Sequence, residues 1–163
     1  DGLLDAYLQL PKNTRINYPL VLIGAYGWRS EATRARISNL VAEGVIYLDY
    51  VDEETLLSVL GQALVVVYPS HHEGFGLPVL EAQSLGTPVI CSDNSSLPEV
   101  ANADCLFFHS EDIACLTEQL KRSLEDVVWR QRCAMQGVIK AANFSWDASV
   151  SQTLAVYQKA QGV

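Results

Sequence analysis

Short unbroken apolar runs alternate along this chain with longer stretches in which apolar residues recur every third or fourth position. An unbroken run predicts a strand buried on both faces. The 3.6 period predicts a helix with one face turned inward. Read this way, residues 3–10 form a helix ending before Pro11, and residues 18–25 a strand whose apolar run is followed by Gly24. Residues 31–42 form a helix stopping at Gly44, and residues 45–48 a short strand. Residues 53–62 are a helix with Asp52 as its cap. The strongest strand is ALVVVYPS, residues 63–70, followed by a helix at 77–85 and a strand at 88–92. A short helix at 97–101 and a strand at 105–108 come next. Three helices close the chain at 112–124, 127–142 and 146–161, the last capped by Ser145.

Strand alternating with helix predicts parallel strands joined by right-handed crossovers, hence a doubly wound α/β sheet of the Rossmann kind. The three terminal helices are expected to cover one face or edge of it. The first helix has no strand before it and reads as the second half of a βα unit, so the domain is expected to be truncated at its N-terminus.

Composition narrows the classes. At 163 residues and 49% hydrophobic, the chain is one domain with a sizeable core. Nineteen acidic against 11 basic residues give a net charge of -8, which argues against a general nucleic-acid or anionic-membrane surface. A small anion held by backbone amides stays open. Cys91, Cys105, Cys115 and Cys133 show no CxxC or zinc-finger spacing and read as buried free thiols. No apolar run approaches the ~18 residues of a membrane span, and a cytoplasmic setting is expected.

The chemistry concentrates in HHEGFGLPVLEA, residues 71–82. In an open parallel sheet, ligands bind beyond the carboxyl ends of the strands, and this stretch follows the strongest strand. Gly74 and Gly76 let backbone approach a ligand. Pro78 suits the first turn of the next helix, whose free amides attract phosphate or polar hydroxyls. Glu73 and Glu81 flank these amides. Carboxylates accept hydrogen bonds from paired hydroxyls, as sugars and riboses present them. Two such acids with amides between them describe a nucleotide-sugar site, and an acid also stabilises the oxocarbenium-like state of glycosyl transfer. On loop and spacing alone, an ordinary glycine turn and an exposed helical Glu81 account for the pattern equally well.

The wider segment PSHHEGFGLPVLEAQSLGTPVICSDNSSLPEVA, residues 69–101, resembles the nucleotide-sugar-binding half of retaining GT-B glycosyltransferases. The similarity is to the large group 1, family 4-like set that includes bacterial mannosyl-, glucosyl- and rhamnosyltransferases. LVLIGAYGW (20–28), VIYLDYVDEETLLSVL (45–60) and NFSWDASVSQTLAVY (143–157) match family segments in the same order. The resemblance implies a hexosyltransferase with a nucleotide-diphosphate-sugar donor, GDP-mannose as first guess, and a glycan or lipid acceptor held by a separate N-terminal domain. It implies neither metal nor other cofactor. Glu73 matches the acid beside the donor sugar, as nucleophile or as stabiliser of a front-face reaction. Gly74, Phe75 and Gly76 match the loop touching that sugar, and Leu77 and Val79 the helix start near the diphosphate. Glu81 matches the acid that holds the ribose, Tyr50 and Val51 the loop bordering the base, and Gly24 the glycine that faces the cleft. His72 lines the cleft mouth. The family's Arg and Lys pair at the diphosphate has no counterpart here, and Lys12 and Arg15 are poor substitutes; Asp49 stands where many relatives carry glycine.

Other readings carry less. His71, His72 and Glu73 fall short of the three or four converging ligands zinc needs. Asp49, Asp52, Glu53 and Glu54 read as the negative start of a helix. Trp28, Trp129 and Trp146 read as packing residues. A sugar-nucleotide epimerase of the same architecture and a non-catalytic α/β binding module remain as alternatives.

Overall fold

The computed structural model describes residues 1–25, 27 and 31–162; Trp28 lies outside them. In chain order the elements are α1 (Gly2–Leu8), α2 (Lys12–Asn17), β1 (Leu20–Ile23), α3 (Glu31–Asn39), a 3-10 turn (Val41–Glu43), β2 (Val45–Leu48) and α4 (Glu53–Gln62). Then follow β3 (Val66–Tyr68), α5 (Leu77–Ser84), β4 (Val89–Ser92), α6 (Leu97–Val100), β5 (Leu106–Phe108), α7 (Ile113–Glu125), α8 (Val127–Ala141) and α9 (Trp146–Ala160).

Every strand pair is parallel, as the alternation predicts. The hydrogen-bonded ladder is in two pieces rather than one sheet: β1 pairs with β2, Leu20 opposite Val45, and β3-β4-β5 forms the second piece. Both pieces feed one core. Leu20 and Leu22 of β1, Val45 of β2, Val67 of β3, Ile90 of β4 and Phe108 of β5 share a cluster with Leu4 and Tyr7 of α1, Leu116 and Leu120 of α7, and Trp129 and Cys133 of α8. A second cluster joins Val79 and Ala82 of α5 to Val89, Cys91, Leu97 and Val100. Successive residues of β4 therefore enter opposite clusters, and all four are buried. That is the two-sided burial of a central parallel strand, with helices on both faces.

Caps fix where the helices begin. Asp52 accepts from the Thr55 amide at 2.7 Å, and Asp112, Asp126 and Ser145 do the same for α7, α8 and α9. The acidic start of α4 is thus a capped helix N-terminus. Cys91, Cys105 and Cys133 are buried free thiols, while Cys115 is half-buried. No helix among the described residues is long and apolar enough to cross a membrane.

Three expectations change. Residues 12–17 form a helix that apolar spacing did not announce. It is pinned by Arg15, which is buried, pairs with Glu43 and donates to the Leu8 and Leu10 carbonyls. The last helix lies largely exposed on this chain: α9 buries none of its residues. Trp146 accordingly is 80% exposed and not a packing residue, in contrast to Trp129, which is buried with its indole N–H on the Asp104 carbonyl at 2.8 Å.

Candidate functional site

The strand β3 ends at Tyr68, and Pro69 cannot extend the ladder. The chain leaves the sheet there and crosses to the start of α5. Ser92, the last residue of β4, donates its hydroxyl to the Ser70 carbonyl and holds that exit. A neighbouring loop, residues 93–96, does the rest. Ser95 Oγ accepts from the Glu73 amide at 3.0 Å. Ser96 Oγ lies 3.1 Å from the Glu73 carbonyl and 2.9 Å from that of Phe75, a single hydroxyl hydrogen shared between them. Ser95 is the one positive-φ residue other than glycine among those described, at φ 48°.

The glycine loop then turns into α5 through Gly76, which is left-handed at φ 104°. The Gly76 carbonyl receives the amides of Val79 and Leu80 at 3.0 and 3.3 Å, starting the helix. The amides of Gly74, Phe75, Gly76 and Leu77 donate to nothing among the described residues. Gly74, Phe75 and Leu77 are exposed, and the Phe75 ring rests edge-on against Phe144 with centroids 5.6 Å apart. The loop therefore presents a run of free donors at the positive end of an eight-residue helix.

Glu73 faces this run with one oxygen committed. Its Oε1 accepts from the Tyr68 hydroxyl at 2.7 Å and from Ser70 Oγ at 2.8 Å. These donors, Tyr68 first and then Ser70, hold the Glu73 carboxyl below the usual carboxylate range, and the charge of His72 assists. Tyr68 also reports on the second acid. Burial, the bond to Glu73, and the negative charges of Glu73 and Glu81 push its hydroxyl up to about 12. Glu81 of α5 contributes the smallest of these effects and shares no hydrogen bond with Tyr68 or Glu73 among the described residues.

The remaining expected residues divide. His72 is exposed beside Glu73, and His71 lines a cleft of ≈ 170 Å³ with Pro69, Phe108 and the start of α1. Gly24 follows β1 at φ 129°, its carbonyl accepting from the Tyr47 hydroxyl at 2.6 Å. Tyr50, 84% exposed, and Val51 follow β2, with the Tyr50 amide on Asp49 Oδ1 at 2.8 Å. These three lie beyond the ends of the β1–β2 piece, and no hydrogen bond or ion pair among the described residues ties them to Glu73. Val79 differs from its neighbours in the loop: its side chain is fully buried in the α5 core and its amide donates to the Gly76 carbonyl. Tyr68, Ser70, Ser95 and Ser96 are the residues that sequence reading missed. The only signal for them was polarity at a strand end. Lys12 and Arg15 both pair with Glu43, on the β2 side of the fold. A larger crevice of ≈ 370 Å³ among Glu118, Lys121, Arg122, Glu125 and Asp126 is lined by charged side chains of the α7–α8 corner and contains none of the expected site residues.

The profile of the family described as Glycosyl transferases group 1 matches residues 1–138. The O-antigen chain mannosyltransferase B of Escherichia coli is 41% identical over 158 residues, 96% of this chain and 42% of that protein. Among solved structures, a sucrose-phosphate synthase from Thermosynechococcus elongatus superposes with a TM-score of 0.78 at 29% identity, over 99% of this chain and 42% of that one. Anabaena Alr3699/HepE, solved in complex with UDP-glucose, gives 0.80 at 18% identity, over 98% and 44%. The chain belongs to the group 1 glycosyltransferase family, with the fold of its GT-B members. It spans less than half the length of these relatives.

Proposed function

We propose that this chain is the donor-binding domain of a retaining glycosyltransferase that moves a hexose from a nucleotide-diphosphate sugar to a glycan or lipid acceptor. In this reading the acceptor is held by a second, N-terminal domain of the complete polypeptide, and the enzyme works at the cytoplasmic side. Mannose is the proposed sugar, supported by the activity named for the Escherichia coli relative. The observation that carries the reading is the row of free amides from Gly74 to Leu77, which follows a Glu73 carboxylate anchored on Tyr68 and leads into the helix that carries Glu81. The amides and the helix start receive the diphosphate without a metal ion. Glu81 takes the ribose hydroxyls, Glu73 faces the sugar, and Tyr50, Val51 and Gly24 border the base. The free oxygen of Glu73 is the one placed to meet positive charge as the glycosidic bond breaks.

The test is calorimetric titration of the complete protein with GDP-mannose and UDP-glucose, joined to NMR of any transferred sugar. Donor binding and a product that keeps the donor's anomeric configuration support the reading. An inverted product, or undiminished donor binding by Glu81→Ala, overturns it.

A further inference from the structure

Two hydroxyls converge on a single oxygen of Glu73, and they come from the strand end rather than from the ligand loop. Tyr68 Oη lies 2.7 Å from Oε1 and Ser70 Oγ 2.8 Å from the same atom, while Oε2 has no partner among the described residues. Ser70 is itself braced from behind, since Ser92 at the end of β4 donates to its carbonyl. The Glu73 backbone is pinned at both ends, the amide on Ser95 and the carbonyl on Ser96. A carboxylate tied through one oxygen and through its own backbone has one lobe left to present.

We infer that Tyr68 and Ser70 are positioning residues for glycosyl transfer: by jointly occupying Oε1 they fix the Glu73 carboxylate so that Oε2 alone faces the donor sugar. The inference rests on the proposed role of Glu73 and adds how that role is held. Packing alone does not call for a tyrosine at the end of an apolar run, because a phenylalanine would fill the same space. What the hydroxyl adds is the bond to Glu73. The two donors also favour the ionised form of Glu73, since each bonds to its charged oxygen. The groups around Glu73 are Tyr68 of β3, Ser70 and His72 of the exit loop, and Ser95 and Ser96 of the 93–96 loop.

The test uses Tyr68→Phe, Ser70→Ala and the double variant, with folding checked by circular dichroism; Tyr68→Phe leaves shape unchanged and stands alone should the serine variant not fold. The first readout is a carbon-13 NMR titration of the Glu73 carboxyl in this chain. Its midpoint is expected to rise in each single variant and further in the double. The second is turnover of the complete enzyme. kcat should fall about tenfold or more per lost donor while the donor KM moves less than about twofold, and the acid limb of the pH profile should shift upward with the NMR midpoint. In a Glu73→Gln background, Tyr68→Phe should then have no further effect on kcat. An unmoved carboxyl midpoint, or equal losses in kcat with and without Glu73, overturns the positioning role. Full turnover by Glu73→Gln instead removes the role of Glu73 itself, and the two failures are thereby told apart.

Discussion

A side-chain carbon added to Gly76 would meet the Cδ2 atom of Leu97 at 2.7 Å. Leu97 is fully buried in the second core cluster, so its side chain can shift only by displacing packed neighbours. The backbone at Gly76 is left-handed as well. Steric fit and conformation therefore both demand glycine, and Gly76 is what lets the free amides of the loop run directly into α5.

Gly76→Ala is accordingly expected to destabilise the fold by about 1–3 kcal/mol, the strain of a left-handed non-glycine residue plus the clash. Urea unfolding followed by tryptophan fluorescence measures this. Gly74→Ala, where an added carbon meets nothing within 4 Å, is the control and should change stability by less than about 0.5 kcal/mol.

Glu81→Ala should weaken donor binding about tenfold to a hundredfold in the complete protein, the loss expected from removing charge-assisted hydrogen bonds. Glu73→Gln should behave differently, lowering turnover far more than affinity, because its charge matters most when the sugar becomes cationic. Isothermal titration and steady-state kinetics on the same preparations separate the two.

Gln83 links the site helix to the rest of the domain from below. Its Oε1 accepts from the Asn102 amide at 2.6 Å and from Asn102 Nδ2 at 2.9 Å, and its Nε2 donates to the Val100 carbonyl at 3.1 Å, all fully buried. Gln83→Leu strands the buried Asn102 amide and Val100 carbonyl, while Asn102 Nδ2 keeps the Cys133 carbonyl at 3.4 Å, and is expected to cost about 2–5 kcal/mol. A drop in melting temperature of only a degree or two would show that water replaces the side chain.

The pH dependence follows from Tyr68 and Glu73. The folded protein holds the Tyr68 proton to about 12 against an ordinary 10.0, so the folded state binds more protons in that window. Its contribution to stability is complete below pH 10 and is lost as pH rises toward 12. Tyr68→Phe should remove the latest step of the tyrosinate absorbance titration and flatten stability in that range. Glu73 has the opposite sign: its folded value lies below the ordinary 4.5, so its contribution is present above that pH and fades as pH falls further. Chemical unfolding across pH 3 to 12 reads both limbs.

The fold was largely legible because its elements announce themselves locally. Strand β2 and helix α4 fall where the apolar pattern and the Asp52 cap put them. The run at 63–70 predicted a longer strand than the three residues of β3, since β3 pairs only with β4 and an apolar run does not say how far a partner extends. Helix α2 was invisible because tertiary bonds from Arg15 hold it, not an apolar face. At the site, the acids and glycines stood out by type and spacing. Ser95 and Ser96 did not, since they reach Glu73 and Phe75 across 21 to 23 residues of sequence. The burial of the Val79 side chain was not legible, because position along a helix start does not reveal which face is buried.

The most direct test of the site is an amide-resolved NMR titration of this chain with GDP-mannose and UDP-glucose. Lys12 and Arg15 are committed to Glu43; with the diphosphate held by helix amides, as proposed, affinity should be weak, ~1 mM or poorer. The account predicts saturable shifts centred on Gly74, Phe75, Gly76 and Leu77, diminished by Glu81→Ala. If those four amides stay still up to ~20 mM ligand, or the shifts centre on the Glu118–Asp126 crevice, the proposed donor site is contradicted.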